Sequence, residues 1–222
     1  LTFNFFHSFT DDPTIIMDEP FRRRLNVVVP LRYKYYQQQT FGFTFNKAWG
    51  LWVFRGEFAF YPDKPYQVWS PTNINYQLSH MNLVDRKDTL QYMLGFDYKQ
   101  WYRFLNPEKM FFISGQFFHF HIFDHKDGLA FGPNLQDAHE DTFYWSILVN
   151  TGYDKERIVP EILAVYDMTT KGCYIKPRVT FKYGNHWRPE IGGIIFGGGK
   201  NTLPFGAVAH TDEIYGMVRY QF

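Results

Sequence analysis

Apolar and polar residues alternate with a period of two through most of this chain, in segments of about ten residues separated by turn residues. In residues 87–99, for example, Leu90, Tyr92 and Leu94 share one face of an extended strand, and Thr89 and Gln91 share the other. A helix cannot keep this period on one face, so the pattern restricts the chain to β-structure with one apolar and one polar face.

The alternation recurs along the chain. It is found in residues 25–31, 40–46, 52–60, 143–150, 174–183, 187–195 and 214–222. With residues 1–10 and 21–36 counted as the first two strands, the sequence predicts about ten strands. The connections alternate between short turns, such as residues 101–108 and 184–186, and long loops, such as residues 62–86 and 124–141. This asymmetry is typical of outer-membrane barrels, whose short turns are periplasmic, and it predicts a periplasmic C-terminus.

The apolar faces are rich in aromatic rings, since Phe, Tyr and Trp make up 21% of the 222 residues. No stretch approaches the roughly 18 apolar residues of a membrane-spanning helix. The predicted fold class is therefore all-β, a transmembrane antiparallel up-and-down β-barrel formed by residues 1–222 in the bacterial outer membrane. The alternative is a soluble β-sandwich, whose apolar faces would be mostly aliphatic and packed against each other.

Charged residues on the strands fall on the face opposite the rings, where they avoid the cost of about 2–4 kcal/mol for each Arg or Lys on the lipid face at the bilayer midplane. They are predicted to line the lumen. The residues are Arg55, Glu57, Asp97, Lys176, Arg178, Lys182, Arg188, Glu190 and Arg219. Because both signs are present, ion pairs across the lumen are expected.

One strand carries a local conflict between its residues. If Ser114 and Gln116 face inward, regular alternation places Phe118 and Phe120 in the lumen, as contacts for an apolar solute or for a plug. It then turns the two histidines of this strand, His119 and His121, outward. A β-bulge near residues 117–118 would reverse this arrangement. His119 and His121 are a weak candidate metal pair, because two imidazoles at this spacing provide half of a metal site. The prediction is no metal and no cofactor.

The ordered set of short motifs resembles one bacterial family. The motifs lie at residues 55–60, 86–97, 101–107, 111–119, 150–153 and 204–206. They look like the C-terminal part of the outer-membrane β-barrel family catalogued as domain of unknown function 1302, over residues from about 37 to 222. The resemblance implies a longer parent protein, a barrel larger than ten strands, and a link to the handling of hydrophobic compounds. It implies no catalytic residues.

The chain end strengthens this resemblance. Tyr220 and the terminal Phe222 alternate with polar residues, and they look like the C-terminal assembly signal of bacterial outer-membrane barrels. The resemblance implies recognition by the barrel-assembly machinery.

The remaining composition excludes several functions. The net charge of +1 gives no basic footprint for nucleic acid, and the one cysteine excludes an internal disulfide. No nucleophile–base motif such as G-x-S-x-G is present, so we expect no enzyme.

We expect a porin-like channel for passive transport of small, including hydrophobic, solutes. The alternative is a structural barrel that holds a periplasmic protein or lipoprotein. In either case, the expected surroundings are outer-membrane lipid and lipopolysaccharide.

Overall fold

The computed structural model of the chain describes residues 1–17, 21–23, 26–28, 30–69, 74–80, 82–131, 136–199 and 204–222. These residues are mostly β-strand. The strands are β1 (Thr2–Phe9), β2 (Thr14–Met17), β3 (Phe21–Arg23), β4 (Asn26–Val28), β5 (Leu31–Lys34), β6 (Gln37–Trp49), β7 (Trp52–Val68), β8 (Val84–Gln100), β9 (Phe111–Ile122), β10 (Leu129–Phe131), β11 (Gln136–Asp137), β12 (Asp141–Asn150), β13 (Ile158–Asp167), β14 (Cys173–Phe181), β15 (Trp187–Gly197) and β16 (Glu213–Tyr220). A short helix, α1 (Ile74–Ser79), follows β7, and a 3-10 turn (Gly206–Val208) precedes β16. Among the described helices, none has the length and apolar character needed to cross a membrane.

Ten strands are hydrogen-bonded side by side in one antiparallel sheet, in the order β1-β6-β7-β8-β9-β12-β13-β14-β15-β16. The short strand β10 pairs with β7 and β11, which makes the sheet 12-stranded. The all-β class is therefore confirmed, as is a long antiparallel sheet in which most neighbours are also consecutive along the chain. Within the described residues, β1 and β16 are the two ends of this order.

The chain forms two compact units, and the first comprises Leu1–Thr44, Glu57–Tyr92 and Phe120–Asp141. Its buried core lies at the ends of β7 and β9, at the start of β10 and just after β11. The core residues are Tyr66, Val68, Ile122, Leu129 and Ala138, with Tyr76 and Phe131 packed against them. The core is thus built largely from the segments that the sequence predicts as long loops.

Gln67 ties the small β2–β5 hairpin to β7 in the first unit. Its buried side chain accepts a hydrogen bond from Ile15 N at 2.8 Å and donates to Ile15 O at 3.0 Å and Leu83 O at 2.7 Å. A buried amide that meets all these partners fixes one arrangement of the segments it joins. The long connections of this unit are therefore ordered around a polar anchor as well as an apolar core.

The prediction of one strand over residues 21–36 is wrong. The described residues of this segment form three short strands, with β3 paired to β4 and β2 paired to β5 in two separate two-stranded sheets. Pro30 interrupts the segment between β4 and β5, and proline cannot donate the ladder hydrogen bond that a continuous central strand needs. The first predicted strand, residues 1–10, is confirmed as β1, which pairs with β6 from Thr2↔Thr44 to Phe9↔Gln37.

The second unit comprises Phe45–Gly56, Met93–His119 and Thr142–Phe222. Its strands β12 to β16 follow one another as antiparallel neighbours. The register sets apolar residues opposite apolar residues, with Trp145↔Tyr166 and Ile175↔Ile195 as examples. Because side chains alternate between faces, this register places the intervening polar residues together on the other face.

Candidate functional site

A charged network occupies the polar face of β13 to β16 in the second unit. Glu161 and Arg178 are direct cross-strand partners, and the Arg178 side chain donates to Glu161 Oε1 from Nε at 2.9 Å and from Nη2 at 2.6 Å. Arg178 Nη1 lies 3.6 Å from Glu190 Oε2 on the next strand. One guanidinium is therefore shared by two carboxylates on either side of it.

Glu190 is held by neutral groups as well. Thr180, its cross-strand partner, donates a hydroxyl hydrogen bond to Glu190 Oε2 at 2.9 Å, and Tyr215 donates to Oε1 at 3.0 Å. The carboxylate is nine-tenths buried, and charge-assisted hydrogen bonds of this kind offset the cost of removing it from water.

Gly192 makes room for the Tyr215 side chain. The two residues are cross-strand partners, and a Cβ on residue 192 would lie 2.7 Å from both Tyr215 Cζ and its hydroxyl oxygen. The absence of a side chain lets the tyrosine ring lie flat along β15 and reach Glu190. Glycine at position 192 thus allows the Tyr215 side chain to lie close to the backbone of β15.

A second ion pair lies on the strand segments at the start of the second unit. Arg55 Nη2 lies 3.1 Å from Asp97 Oδ1 and donates to Ser114 Oγ at 3.0 Å. Gly95 provides the space for this side chain, since a Cβ there would lie 3.0 Å from Arg55 Nε. The predicted lumen residues Arg55 and Asp97 are thus brought together, with Ser114 as a third partner.

The other predicted lumen residues are spread along the same strands. Lys176 Nζ lies 5.5 Å from the Tyr215 ring centroid, and Lys182 Nζ lies 3.9 Å from Glu156 in a turn. Arg188 donates to the carbonyls of its own turn, including Gly184 O at 3.0 Å. Arg219, its cross-strand partner, is exposed.

Glu57 belongs to the first unit and is exposed. The two charged groups on this face therefore contain Arg55 and Asp97, and Arg178 and Glu190, from the prediction. Lys176 is half-buried on β14 beside Tyr215. The other predicted residues, Glu57, Lys182, Arg188 and Arg219, lie at strand ends or are exposed.

Four further residues belong to this face: Ser114, which regular alternation predicts to face inward, and Asn150, Glu161 and Tyr215, which are not among the predicted lumen residues. Asn150 donates to Glu161 Oε2 at 3.3 Å. Glu161 could have been found from the sequence, since it is the one charged residue in the otherwise apolar residues 158–166. The alternation of residues 214–222 places Tyr215 on the polar face, but nothing in the sequence marks it as a partner of Glu190.

Strand β9 runs unbroken from Phe111 to Ile122, and its alternation is the regular one. Gln116 accepts a hydrogen bond from Ser146 at 3.4 Å on the polar face. Phe117 and His119 lie on the other face, where the His119 ring stacks on Phe143 at 4.4 Å. Phe118 therefore shares the polar face, as predicted without a bulge. Its contact with an apolar solute stays a prediction.

In the first unit, Phe120 lies on β9 and is half-buried, and its predicted solute contact also stays untested. His121 Nδ1 lies 2.8 Å from Asp141 Oδ1, and the His121 ring meets the edge of Phe123 at 4.6 Å. The weak metal candidate of His119 and His121 stays a prediction, with an acidic partner for His121 that the sequence did not indicate.

The apolar face of β12 to β16 is uncovered. Trp145, Ile147, Ile175, Ile191 and Val218 are 42–64% exposed. A soluble monomer rarely exposes a continuous apolar surface of more than a few hundred Å².

The face extends to the chain end. There, the Tyr220 ring contacts Trp187 at 5.0 Å and Phe222 at 5.3 Å. The assembly signal predicted for Tyr220 and Phe222 stays a prediction.

At the short-turn end of the second unit, buried Asn106 joins two turns. Its side chain donates to Thr151 Oγ1 at 2.8 Å and Gly152 O at 2.9 Å, and it accepts from the amides of Glu108 and Lys109. All four hydrogen-bonding positions of the amide group are thereby used.

Glu156 adds a charged link between neighbouring turns. Lys109 Nζ forms an ion pair with Glu156 Oε1, and Lys182 approaches Oε2. The hydrogen bond and charge of Lys109, with the charge of Lys182, lower the pKa of Glu156 below its ordinary value.

These features define an all-β protein whose antiparallel sheet carries an uncovered apolar face and, opposite it in the second unit, a face of paired charges. The chain belongs to the family described as protein of unknown function (DUF1302), whose model matches residues 3–222. The match begins at residue 3 and includes all of β1 except Thr2, whereas the sequence resemblance begins near residue 37. No curated protein and no solved structure matches the chain.

Proposed function

We propose that the chain forms a transmembrane antiparallel up-and-down β-barrel wall in the bacterial outer membrane and passes small solutes by passive diffusion. The observation that carries the proposal is the division of β12 to β16 into two faces. One face exposes Trp145, Ile147 and Ile191, and the other carries Glu161, Arg178 and Glu190 as a connected network.

The uncovered apolar face supports contact with lipid. Apolar surface left in water costs about 25 cal/mol per Å², so a sheet with this exposure needs a non-aqueous surrounding. In a bilayer, every strand must also satisfy its backbone groups by pairing, which a closed barrel achieves. The proposed surroundings are outer-membrane lipid and lipopolysaccharide, with the C-terminus periplasmic and assembly by the barrel-assembly machinery.

The charged face supports a polar interior with weak charge preference. Arg178 is neutralised by two carboxylates, and Arg55 by Asp97. A lumen of paired charges excludes neither anions nor cations strongly. Phe118, on the same face as Gln116, adds an apolar ring that a hydrophobic solute could touch.

Planar-bilayer conductance tests this function on the full chain with Cys173→Ser as background. We expect stepwise conductance, and we compare Ser146→Cys with Ile147→Cys, neighbours on opposite faces of β12. A membrane-impermeant thiol reagent should reduce the conductance of Ser146→Cys and leave that of Ile147→Cys unchanged. Equal block of both variants, or block of Ile147→Cys alone, would contradict a lumen on the polar face.

A structural role is the second candidate, and one observation favours it. The charges of the polar face satisfy each other, as expected for an interior filled by its own side chains rather than by solute. The barrel would then hold a periplasmic protein or lipoprotein at the membrane. Absence of conductance in a chain that inserts into bilayers would support this role over transport.

A further inference from the structure

A cavity of about 560 Å³ lies in the first unit, beside β1 and β6. Its wall combines cationic, aromatic and amide side chains with one carboxylate. The lining includes His7, Lys34, Tyr36, Gln39, Asp63 and Arg86. The cavity plays no part in the charged network of the second unit, and neither the sequence motifs nor the family match assigns it a ligand.

The cavity continues the apolar face of the sheet. His7 of β1 lies opposite Gln39 of β6, and both belong to its lining. On the same face of β1, Phe5 lies opposite Phe41, with the rings 5.1 Å apart, and Phe3 follows two residues farther on. Phe3 and Phe5 are more than half exposed. The cavity therefore lies next to an uncovered aromatic stripe formed by Phe3, Phe5 and Phe41.

Two cationic side chains of this cavity make cation–π contacts with the same ring, that of Tyr36. Lys34 Nζ lies 4.7 Å from the centroid of Tyr36, and Arg86 Cζ lies 5.2 Å from it. Among the described ion pairs, none engages the Lys34 ammonium or the Arg86 guanidinium. The ring thus positions two charges that are available to an anionic group.

We propose that this cavity binds the phosphate-bearing headgroup of an anionic membrane lipid. The phosphate contacts Lys34 and Arg86, and the headgroup hydroxyls hydrogen-bond to the Gln39 amide and the Asp63 carboxylate. The acyl chains lie along Phe5 and Phe41. An isolated phosphate would use the two cations but leave the aromatic stripe empty. The inference rests on the proposed function in that it assumes the apolar face meets lipid.

Native mass spectrometry of the full chain in zwitterionic detergent tests the site, with phosphatidylglycerol as probe and phosphatidylcholine as its neutral comparison. We expect phosphatidylglycerol to bind at least about tenfold more tightly than phosphatidylcholine. The double variant Lys34→Gln/Arg86→Gln should lose about tenfold in phosphatidylglycerol affinity, because two charge-assisted hydrogen bonds are removed. The matched variant Lys99→Gln/Arg103→Gln, which removes the same charges from β8 and the following turn, should bind as the wild type does.

Equal phosphatidylglycerol binding by the two double variants would overturn the proposal, as would equal affinity for phosphatidylcholine. Displacement of the lipid by an equimolar amount of inorganic phosphate would also overturn it, since the site would then recognise phosphate without the lipid. Bilayer conductance of Lys34→Gln/Arg86→Gln separates this inference from the proposed function. If the variant loses its preference for phosphatidylglycerol but conducts as the wild type does, the lipid site is supported and is separate from transport. If the wild-type chain binds phosphatidylglycerol selectively but gives no conductance, the result contradicts transport and leaves the lipid site supported.

Discussion

Arg178 Nε donates a hydrogen bond to Glu161 Oε1 at 2.9 Å, and the backbone register places these two residues directly opposite each other on neighbouring strands. The pair therefore depends on the pairing of β13 with β14, because a slip of one residue would turn the two side chains to opposite faces. Glu190 lies on the other side of the guanidinium, so the position of Arg178 determines how both carboxylates are neutralised.

Replacement of the shared cation should make the proposed channel prefer cations. Arg178→Ala leaves Glu161 and Glu190 without the guanidinium between them. One uncompensated charge acting over about 6 Å of water contributes ~0.7 kcal/mol, which is about a threefold gain in cation preference. The reversal potential under a salt gradient measures it. Lys126→Ala removes the same charge from an exposed loop and should leave the potential unchanged; an equal shift in both variants would point to a general surface effect.

A methyl group on residue 192 should destabilise the second unit. In Gly192→Ala the new Cβ collides with the Tyr215 ring, and relief of such overpacking typically costs about 1–3 kcal/mol. Urea unfolding in detergent micelles gives the free energy of unfolding. Gly216→Ala is the matched control on β16, since a Cβ there meets nothing within 4 Å. Similar stability of the two variants would show that Tyr215 does not need this space.

Loss of the Asn106 side chain should loosen two turns together. Asn106→Ala leaves the Glu108 and Lys109 amides and the Gly152 carbonyl without their partner, at a cost of about 2 kcal/mol for the buried groups. Hydrogen exchange should accelerate in both turns, at residues 105–109 and 151–153. Asn185→Ala in an exposed turn provides the control. Faster exchange confined to the first turn would contradict a shared anchor.

Acid should weaken the link between neighbouring turns that passes through Glu156. The pKa of this carboxyl is lowered by Lys109 and Lys182, so its stabilising contribution is present above the ordinary glutamate pKa and is lost as the pH falls through the lowered value. An NMR titration of the Glu156 side chain measures this pKa directly. Lys109→Gln should bring it back toward the ordinary value; a pKa that does not respond to this substitution would contradict the pairing.

The sequence predicted the faces of the strands because the period of two is a local property. In the structure, Trp145, Ile147 and Arg178 lie on the faces that the alternation predicts. The side chains of β9 also keep their regular alternation beyond Phe118. The register between neighbouring strands is not a local property, and it determines which charged side chains form ion pairs. Glu161 became the main partner of Arg178 because β13 lies opposite β14 at that residue.

The long connections were harder to predict for a physical reason. Tyr66 and Leu129 form a buried core between segments about sixty residues apart, and buried Gln67 binds a hairpin fifty-two residues away along the chain. Such contacts leave no periodic trace in the sequence. The prediction of one strand over residues 21–36 was wrong for a similar reason, since the same alternation also suits short strands, and Pro30 lies between β4 and β5.

In the proposed barrel, one face of the sheet meets lipid and the other meets water. The most direct test is spin-label accessibility along β12 in lipid vesicles, with single cysteines at residues 144–149 in a Cys173→Ser background. We expect high accessibility to dissolved oxygen at residues 145, 147 and 149. Accessibility to a water-soluble nickel complex should instead be high at residues 144, 146 and 148. Equal accessibility to the nickel complex on both faces would contradict this arrangement. High accessibility to the nickel complex at residues 145, 147 and 149 would contradict it as well.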